Sequence, residues 1–360
     1  MRKLTASQQA IVQLASVQGL TYRQKAALLS LCDRPEDLFA HLYVLRNEIF
    51  EIGETLFEKL ESAHDHFDID RLAAYMEKLG VGLTFKGESN YPTAFLSLEE
   101  SPEVIFYKGD ISLVNEECFA IVGTRAPTRY GRDVTEQFAR EIARAGFTVV
   151  SGLARGVDAI AHRTALEEDR PTIGIIGCGL DVVYPAENKQ LYDDLSEKGL
   201  ILTEYYFGES ALPYHFPERN RLISALSQGI LVTEAGLKSG TMITVNYALD
   251  QGKDVFLVPG NIFSAASKGT NEMLHNPQCM IACSAEDILS YYKKDVEKQE
   301  ETIQLTTEEV LVYDALKDDD KHFEELIAVT GLSMGELMAT LTKLEILGVI
   351  KRLPGNYYGI

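Results

Sequence analysis

The sequence has no apolar run approaching the roughly 18 residues that a membrane-spanning helix needs, and no apolar signal-peptide core near its N-terminus. A cytoplasmic protein with no membrane partner is the expectation. Cysteine is scarce: Cys32, Cys118, Cys178, Cys279 and Cys283 are odd in number and make no CxxC pair. That argues for reduced thiols and against a disulfide framework or a metal site. Basic residues are short as well, with 34 Lys and Arg against 54 Asp and Glu, a formal net charge of −20. Such a balance repels polyanions at long range. GxxxxGK[ST] and HExxH are both missing, which removes a P-loop ATPase and a zinc protease. Internal repeats and low-complexity tracts are also absent.

The acid is unevenly spread. Residues 1–118 hold 11 basic and 19 acidic side chains, residues 276–360 hold 8 and 16, and the middle, 119–275, holds 15 and 19. A local basic pocket therefore has room in the middle. The organising stretch is there, from Ala120 to His162. An apolar run (Phe119 to Val122) stops at Gly123-Thr124-Arg125. A helical pattern follows with Val134, Phe138, Ile142 and Ala145 on one face. A second apolar run (Phe147 to Val150) stops at Ser151-Gly152. This is a strand, crossover helix, strand unit. Further runs at Thr172–Gly177, Leu200–Thr203, Ile230–Thr233 and Val255–Val258 are continuous rather than alternating, as in a parallel sheet covered on both faces. Before them, Val104–Tyr107 reads as a short strand, and residues 3 to about 79 read as helices broken at Gly19-Leu20 and at Asp33-Arg34-Pro35. The Gly19 turn has the outline of a helix-hairpin-helix without its second glycine, so a packing turn is expected. Residues 291–304 (YYKKDVEKQEETIQ) are charged and poor in apolar anchors, and read as a linker. Beyond it lie two helices, then a helix capped by Ser333 with Leu337, Leu341, Leu344 and Leu347 inward, then two short β runs around Pro354-Gly355. That is the order of a winged helix.

Ligands of doubly wound sheets bind beyond the carboxyl ends of the strands, where helix N-termini favour anions. Thr124-Arg125 and Ser151-Gly152-Leu153-Ala154-Arg155 are two such turns, and two arginines arriving together suit a polyanion. Phe216-Pro217-Glu218-Arg219-Asn220-Arg221 is the second concentration of signal, with Tyr205, Tyr206, Phe207 and Tyr214 upstream. Aromatic faces beside guanidinium groups suit unpaired bases, although Phe207 and at least one tyrosine are expected in the core. Ser239, Gly240 and Thr241 open a helix after a strand, where backbone amides can hold a phosphate. Glu234 is either a general base or, as expected here, a structural partner of Arg219 or Arg221. His215 is expected to be structural. Gly177-Cys178-Gly179 lacks the third glycine and the acidic residue of a dinucleotide site. The helix after Ser333 has one basic residue, Lys343, against Glu336 and Glu345, and Asp318-Asp319-Asp320 adds repulsion, so protein contact is expected there rather than DNA.

Taken in order, SPEVIFYKGD, AIVGTRAPTRYG, SGLARGVDAIAH, GCGLDVVYPAENKQL, LTEYYFG, FPERNRLISALS, EAGLKSGTMITVNYALDQGKDVFLVPG and SKGTNEML resemble the DprA (Smf) family of bacterial DNA-processing proteins. The resemblance implies an α/β fold: an extended Rossmann-like, doubly wound, mostly parallel sheet over residues 84–290. It also implies a helical N-terminal domain over 1–83, of SAM or helix-hairpin-helix type, and a winged helix over 305–360. It implies a homodimer that binds single-stranded DNA, protects incoming strands during natural transformation and loads the RecA recombinase, with no catalytic residue, cofactor or metal. The family's DNA pocket falls on Arg125, Arg155 and Lys189, with Phe216, Arg219, Asn220 and Arg221 beside it; Thr241 stands where the family commonly has serine. A competing reading comes from similarity of the Rossmann unit to lysine-decarboxylase-like phosphoribohydrolases: a nucleotide sensor or a nucleoside-monophosphate N-glycoside hydrolase. Their PGGxGT turn is absent, and EAGLKSGT is the nearest match.

Overall fold

Thr5 and Thr21 each accept a hydrogen bond from the backbone of the glutamine three residues on, and each glutamine side chain reaches back. These capping boxes start α1 (Ala6–Ala15) and α2 (Tyr22–Leu29). α3 (Pro35–Ala40), α4 (Arg46–Ile52), α5 (Leu56–His66) and α6 (Ile69–Leu79) complete the helical part, which ends on Gly80 in the left-handed region. The structure is a computed structural model and describes residues 3–53, 55–294, 305–317, 319–347 and 349–359. The chain divides into two compact units after residue 297. The Gly19 turn is a packing turn: its N–H donates to Glu209 Oε1 at 3.3 Å, on the following part of the same unit.

The sheet of the first unit contains β1 (Gly82–Phe85), β2 (Val104–Gly109), β3 (Cys118–Val122), β4 (Thr148–Ser151), β5 (Thr172–Ile175), β6 (Leu200–Thr203), β7 (Gly229–Val232), β8 (Asp254–Leu257) and β9 (Cys279–Ile281). Their order is β1-β2-β6-β5-β4-β3-β7-β8-β9, antiparallel at β1/β2 and β2/β6 and parallel elsewhere. The interleaved helices are α7 (Arg129–Arg144), α8 (Val157–Glu167), α9 (Lys189–Lys198), α10 (His215–Leu226), α11 (Thr241–Asp250), α12 (Lys268–Met273) and α13 (Ala285–Tyr291). Side chains of β3 alternate between the two faces, as a strand requires. Ala120 and Val122 join Leu222, Ile223 and Val245 of α10 and α11. Phe119 and Ile121 join Phe138, Ile142, Ala161 and Ile288 of α7, α8 and α13. The chain runs from β3 to β6 in one direction, then returns to place β7 on the other side of β3. The crevice between the carboxyl ends of β3 and β7 is thus the switch point, where such sheets take ligands.

Three boundaries differ from the sequence reading. β1 begins at Gly82 and pairs with β2, so the sheet takes residues assigned to the helical domain. β9 has no continuous buried run because it lies at the sheet edge. Tyr291 and Tyr292, read as linker, belong to the core unit: Tyr292 packs edge-on against Phe119 and Phe147, and its hydroxyl donates to Asp254 Oδ2 at 2.7 Å. From residue 295 to 304 the expected linker lies outside the described residues.

The second unit is a winged helix by order: α14 (Thr307–Leu316), β10 (Lys321–His322), α15 (Phe323–Thr330), α16 (Met334–Ile346), β11 (Lys351–Leu353) and β12 (Tyr357–Gly359), with sheet order β10-β12-β11. Leu337, Leu341 and Leu344 are buried as expected, but Leu347 lies just past the end of α16 and faces solvent. Gly331-Leu332-Ser333-Met334-Gly335 has the spacing of a nucleophile elbow. Ser333 is instead the cap of α16, accepting from Glu336 N and donating to Glu336 Oε2. Met334 and Met338 are exposed on the same helix, an apolar rather than a basic surface.

Candidate nucleic-acid interface

Gly123 follows β3 in close packing: a Cβ there would meet Val157 Cγ2 at 2.6 Å and the Glu234 carbonyl at 3.0 Å. Thr124 N then donates to Glu234 O at 2.7 Å, and Thr124 O accepts from Val157 N at 3.2 Å. With its backbone held from both sides, the chain throws Arg125 outward. The Arg125 guanidinium lies 4.8 Å from the centroid of the Phe216 ring. Such a contact contributes about 0.5–1 kcal/mol at an exposed site. Among the described residues no carboxylate pairs with Arg125.

Glu234 is not a partner of Arg219 or Arg221, which face the Ile175 carbonyl and Glu204 instead. The buried Glu234 carboxylate accepts from Thr128 N and Thr128 Oγ1, both at 2.8 Å. Thr128 itself caps α7 through Gly131 N. Glu234 therefore ties the end of β7 to the start of α7 and closes the switch point from below. The expectation of a structural role holds, and the expected partner is corrected: the carboxylate sits at a helix N-terminus, where the dipole favours it.

The second turn is not an empty anion cradle either. Ser151 Oγ is buried and donates to Ile121 O at 2.6 Å. Gly152 N and Ala154 N both point at Asp158 Oδ2, at 3.2 and 3.4 Å. The side chain from the first turn of α8 thus occupies the place proposed for a phosphate. Burial raises the Asp158 carboxyl above the ordinary carboxylate range, against the opposing pull of the neighbouring Arg219 charge. Arg155, in contrast, is exposed and forked onto Glu187, with Nη2 2.7 Å from Oε2. Asn188 anchors this turn by donating to Leu153 O and Ala154 O at 3.0 and 3.2 Å. Lys189, next to it, is exposed and pairs with Asp193 one helical turn on, at 2.8 Å.

α10 carries the third group, and here the expectation of two phosphate-facing arginines is overturned. Arg219 is only 3% exposed and donates to the Ile175 carbonyl beside Asp158, and burial lowers its pKa. A Cβ on Gly152 would collide with its guanidinium. Arg221, also 3% exposed, donates to Glu204 Oε2 at 2.5 Å and to the Glu100 carbonyl at 3.1 Å, under the ring of Tyr22. The i, i+2 spacing puts neither on the surface, because α10 is covered on most of its circumference. Phe216, at the exposed start of the same helix, does reach the rim, and the Tyr184 ring lies 5.4 Å from it, tilted by 40°. Asn220 is half-buried. Tyr205 and Phe207 are core, and His215 is buried with Nδ1 at 3.1 Å from the Gly177 carbonyl, as expected.

Ser239, Gly240 and Thr241 start α11 on the β7 side of the switch point. Ser239 Oγ donates to Thr241 Oγ1 at 2.9 Å and accepts from Thr241 N at 3.2 Å, so this turn caps itself. What remains open at the rim is a row made by Arg155, Tyr184, Phe216 and Arg125, flanked by Lys189. Tyr184, Glu187 and Asn188 were not singled out from the sequence; the run Tyr184-Pro185-Ala186-Glu187-Asn188, between a strand end and a helix start, was the available signal.

A family model described as DNA recombination-mediator protein A matches residues 82–293, and one described as DprA winged helix domain matches residues 296–356. The chain is 30% identical over 353 residues to Protein Smf of Synechocystis, covering 86% of this chain and 88% of that one. It is 39% identical over 218 residues to the DNA processing protein DprA of Bacillus subtilis, covering 60% and 73%. The X-ray structure of DprA from Streptococcus pneumoniae superposes with a TM-score of 0.68 at 31% identity, over 80% of this chain and 98% of that one. A DNA processing protein A from Helicobacter pylori, solved for its single-stranded DNA binding mode, gives 0.55 at 34% identity, over 59% and 95%.

Proposed function

The chain belongs to the DNA recombination-mediator protein A family, and on that premise we propose that it binds single-stranded DNA along the carboxyl rim of its sheet. Arg125, Arg155 and Lys189 meet phosphates, and Phe216 with Tyr184 receives splayed bases. The observation that carries this reading is the Arg125 guanidinium on the Phe216 ring, exposed and with no carboxylate partner among the described residues. Arg155 supports it in a second way, because a phosphate can replace the exposed Glu187 carboxylate with the same bidentate geometry. Duplex DNA binds less well in this account: stacked bases cannot reach the rings, and the denser charge meets a chain of net −20. The relative from Helicobacter pylori, solved for its single-stranded DNA binding mode, supports the choice of ligand.

Binding, rather than chemistry on the nucleic acid, is the role. Glu234, the carboxylate a hydrolase would need, caps α7 from a buried position. Membership of the family supports two further parts of the reading: a homodimer, and delivery of the bound strand to the RecA recombinase. Among the described residues no helix is long and apolar enough to cross a membrane. The test is anisotropy of labelled oligonucleotides, single against double strand. Single-strand binding at least tenfold tighter supports the reading, and equal affinity or none overturns it.

A further inference from the structure

The rim does not end at the switch point. Beyond β7 and β8 the loop 235–240 packs against the start of α12, at the end of the loop 259–267: Gly269 N and Thr270 N both donate to Ala235 O, at 2.8 and 3.2 Å. The second loop is braced by Asn271, which donates to Gly260 O and accepts from Gly260 N, each at 3.0 Å. Asn261 Oδ1 accepts from Phe263 N at 2.9 Å. This bracing holds Ile262 and Phe263 in solvent, 72% and 89% exposed. A phenylalanine fixed outward on a hydrogen-bonded loop is unusual for a ring of that size.

Charge on this half of the rim runs against the rest of the molecule. Between Ala235 and Met273 the acidic residues are Asp250 and Asp254, at the end of α11 and the start of β8 and so at the opposite end of the strands, and Glu272, exposed on α12 one turn after Lys268. Lys238 and Lys268 flank the two loops, both exposed. The loop is also coupled to the Arg125 side, since Tyr130, in the first turn of α7, donates its hydroxyl to Pro259 O at 2.7 Å. From the end of β3 to the end of β8 is two strand spacings, about 10 Å.

We propose that Phe263 is a second base-stacking platform, with Lys238 and Lys268 on the phosphates beside it. A strand leaving Phe216 and Arg125 then crosses the switch point and continues over the ends of β7 and β8. This rests on the single-stranded DNA reading above and extends its footprint. Two exposed lysines against the single exposed Glu272, in a molecule of net charge −20, favour nucleic acid over protein here.

The sequence contains no tryptophan, so Phe263→Trp installs a single fluorophore in the full-length protein. Titration with a 20-nucleotide oligothymidylate quenches it, and Phe263→Ala weakens that oligonucleotide by roughly fivefold or more, the loss of one stacked base. Phe263→Tyr retains wild-type affinity. Lys238→Ala with Lys268→Ala flattens the log–log salt slope by about 1.4, two single-strand phosphates. A five-nucleotide oligonucleotide, short enough for the first patch alone, is unaffected by these changes. Unquenched tryptophan with wild-type affinity in Phe263→Ala overturns the proposal, and the first reading survives if Arg125→Ala with Arg155→Ala still abolishes binding. A change in oligomeric state by light scattering, with DNA affinity unchanged, also overturns it and assigns the loop to a protein contact.

Discussion

Replacing Phe216 by alanine removes the ring on which Arg125 rests and which faces Tyr184. Stacking of one base contributes about 1–3 kcal/mol, so affinity for single strands falls between about 5- and 150-fold. No charge is removed, so the salt slope stays where it was; that separates this variant from any arginine variant. Phe216 is only half-buried at the start of α10, so the fold persists, and thermal melting checks it. Phe216→Tyr keeps the ring and restores affinity. The assay is anisotropy of a labelled oligothymidylate at several salt concentrations. Wild-type affinity in Phe216→Ala, or a flattened salt slope in place of a parallel shift, would refute the stacking argument.

Glu187→Gln frees Arg155 without removing it, and tightens single-strand binding at low salt by no more than about fivefold, the ceiling for an exposed pair; the gain fades as salt screens both partners. Gly152→Ala drives a Cβ into the Arg219 guanidinium and costs about 1–3 kcal/mol, read from denaturant midpoints. His162 is fully buried, with Nδ1 2.7 Å from Thr172 Oγ1, and burial lowers its pKa to about 3. The unfolded chain takes up a proton near pH 6.5 that the native state refuses. Its contribution is therefore complete above pH 6.5 and lost as pH falls toward 3, by about 1.4 kcal/mol per unit. Asp158 and Glu218, raised by burial, act in the opposite sense. The difference in slope between wild type and His162→Leu, measured from pH 6.5 to 5.5, isolates the histidine, and identical slopes would contradict its burial as a neutral ring.

The parallel strands were legible because burial on both faces leaves continuous apolar runs: Leu200–Thr203 was read to the residue. The edge strands Gly82–Phe85 and Cys279–Ile281 were not, since in the first only Leu83 and Phe85 are apolar, with Gly82 and Thr84 between them, and the second is only partly buried. At the rim, the two glycine turns and Phe216 were visible as composition at strand ends. What the sequence concealed was which cations have internal partners. Arg219 and Arg221 look like surface charges in FPERNR, and only the packing of α10 against the sheet and the Tyr22 helix shows them facing a carbonyl and Glu204. The same holds for Asp158, a helix first-turn acid in the sequence and an occupant of the Gly152 turn in the fold. The partners of Arg219 and Arg221, separated from them by 17 to 121 residues, leave no local pattern.

With Arg219 and Arg221 buried, three cations remain for phosphates in the patch around Phe216, so for a five-nucleotide oligonucleotide, which reaches that patch alone, log affinity falls with log salt at a slope of about −2 rather than the −3 of a four-phosphate contact. The decisive measurement is that slope in wild type and in Arg125→Ala with Arg155→Ala, alongside a melting curve of each. The account predicts a folded variant whose binding is abolished, or whose remnant has a slope no steeper than about −0.7. A variant that melts like wild type and binds single strands with the wild-type slope contradicts it.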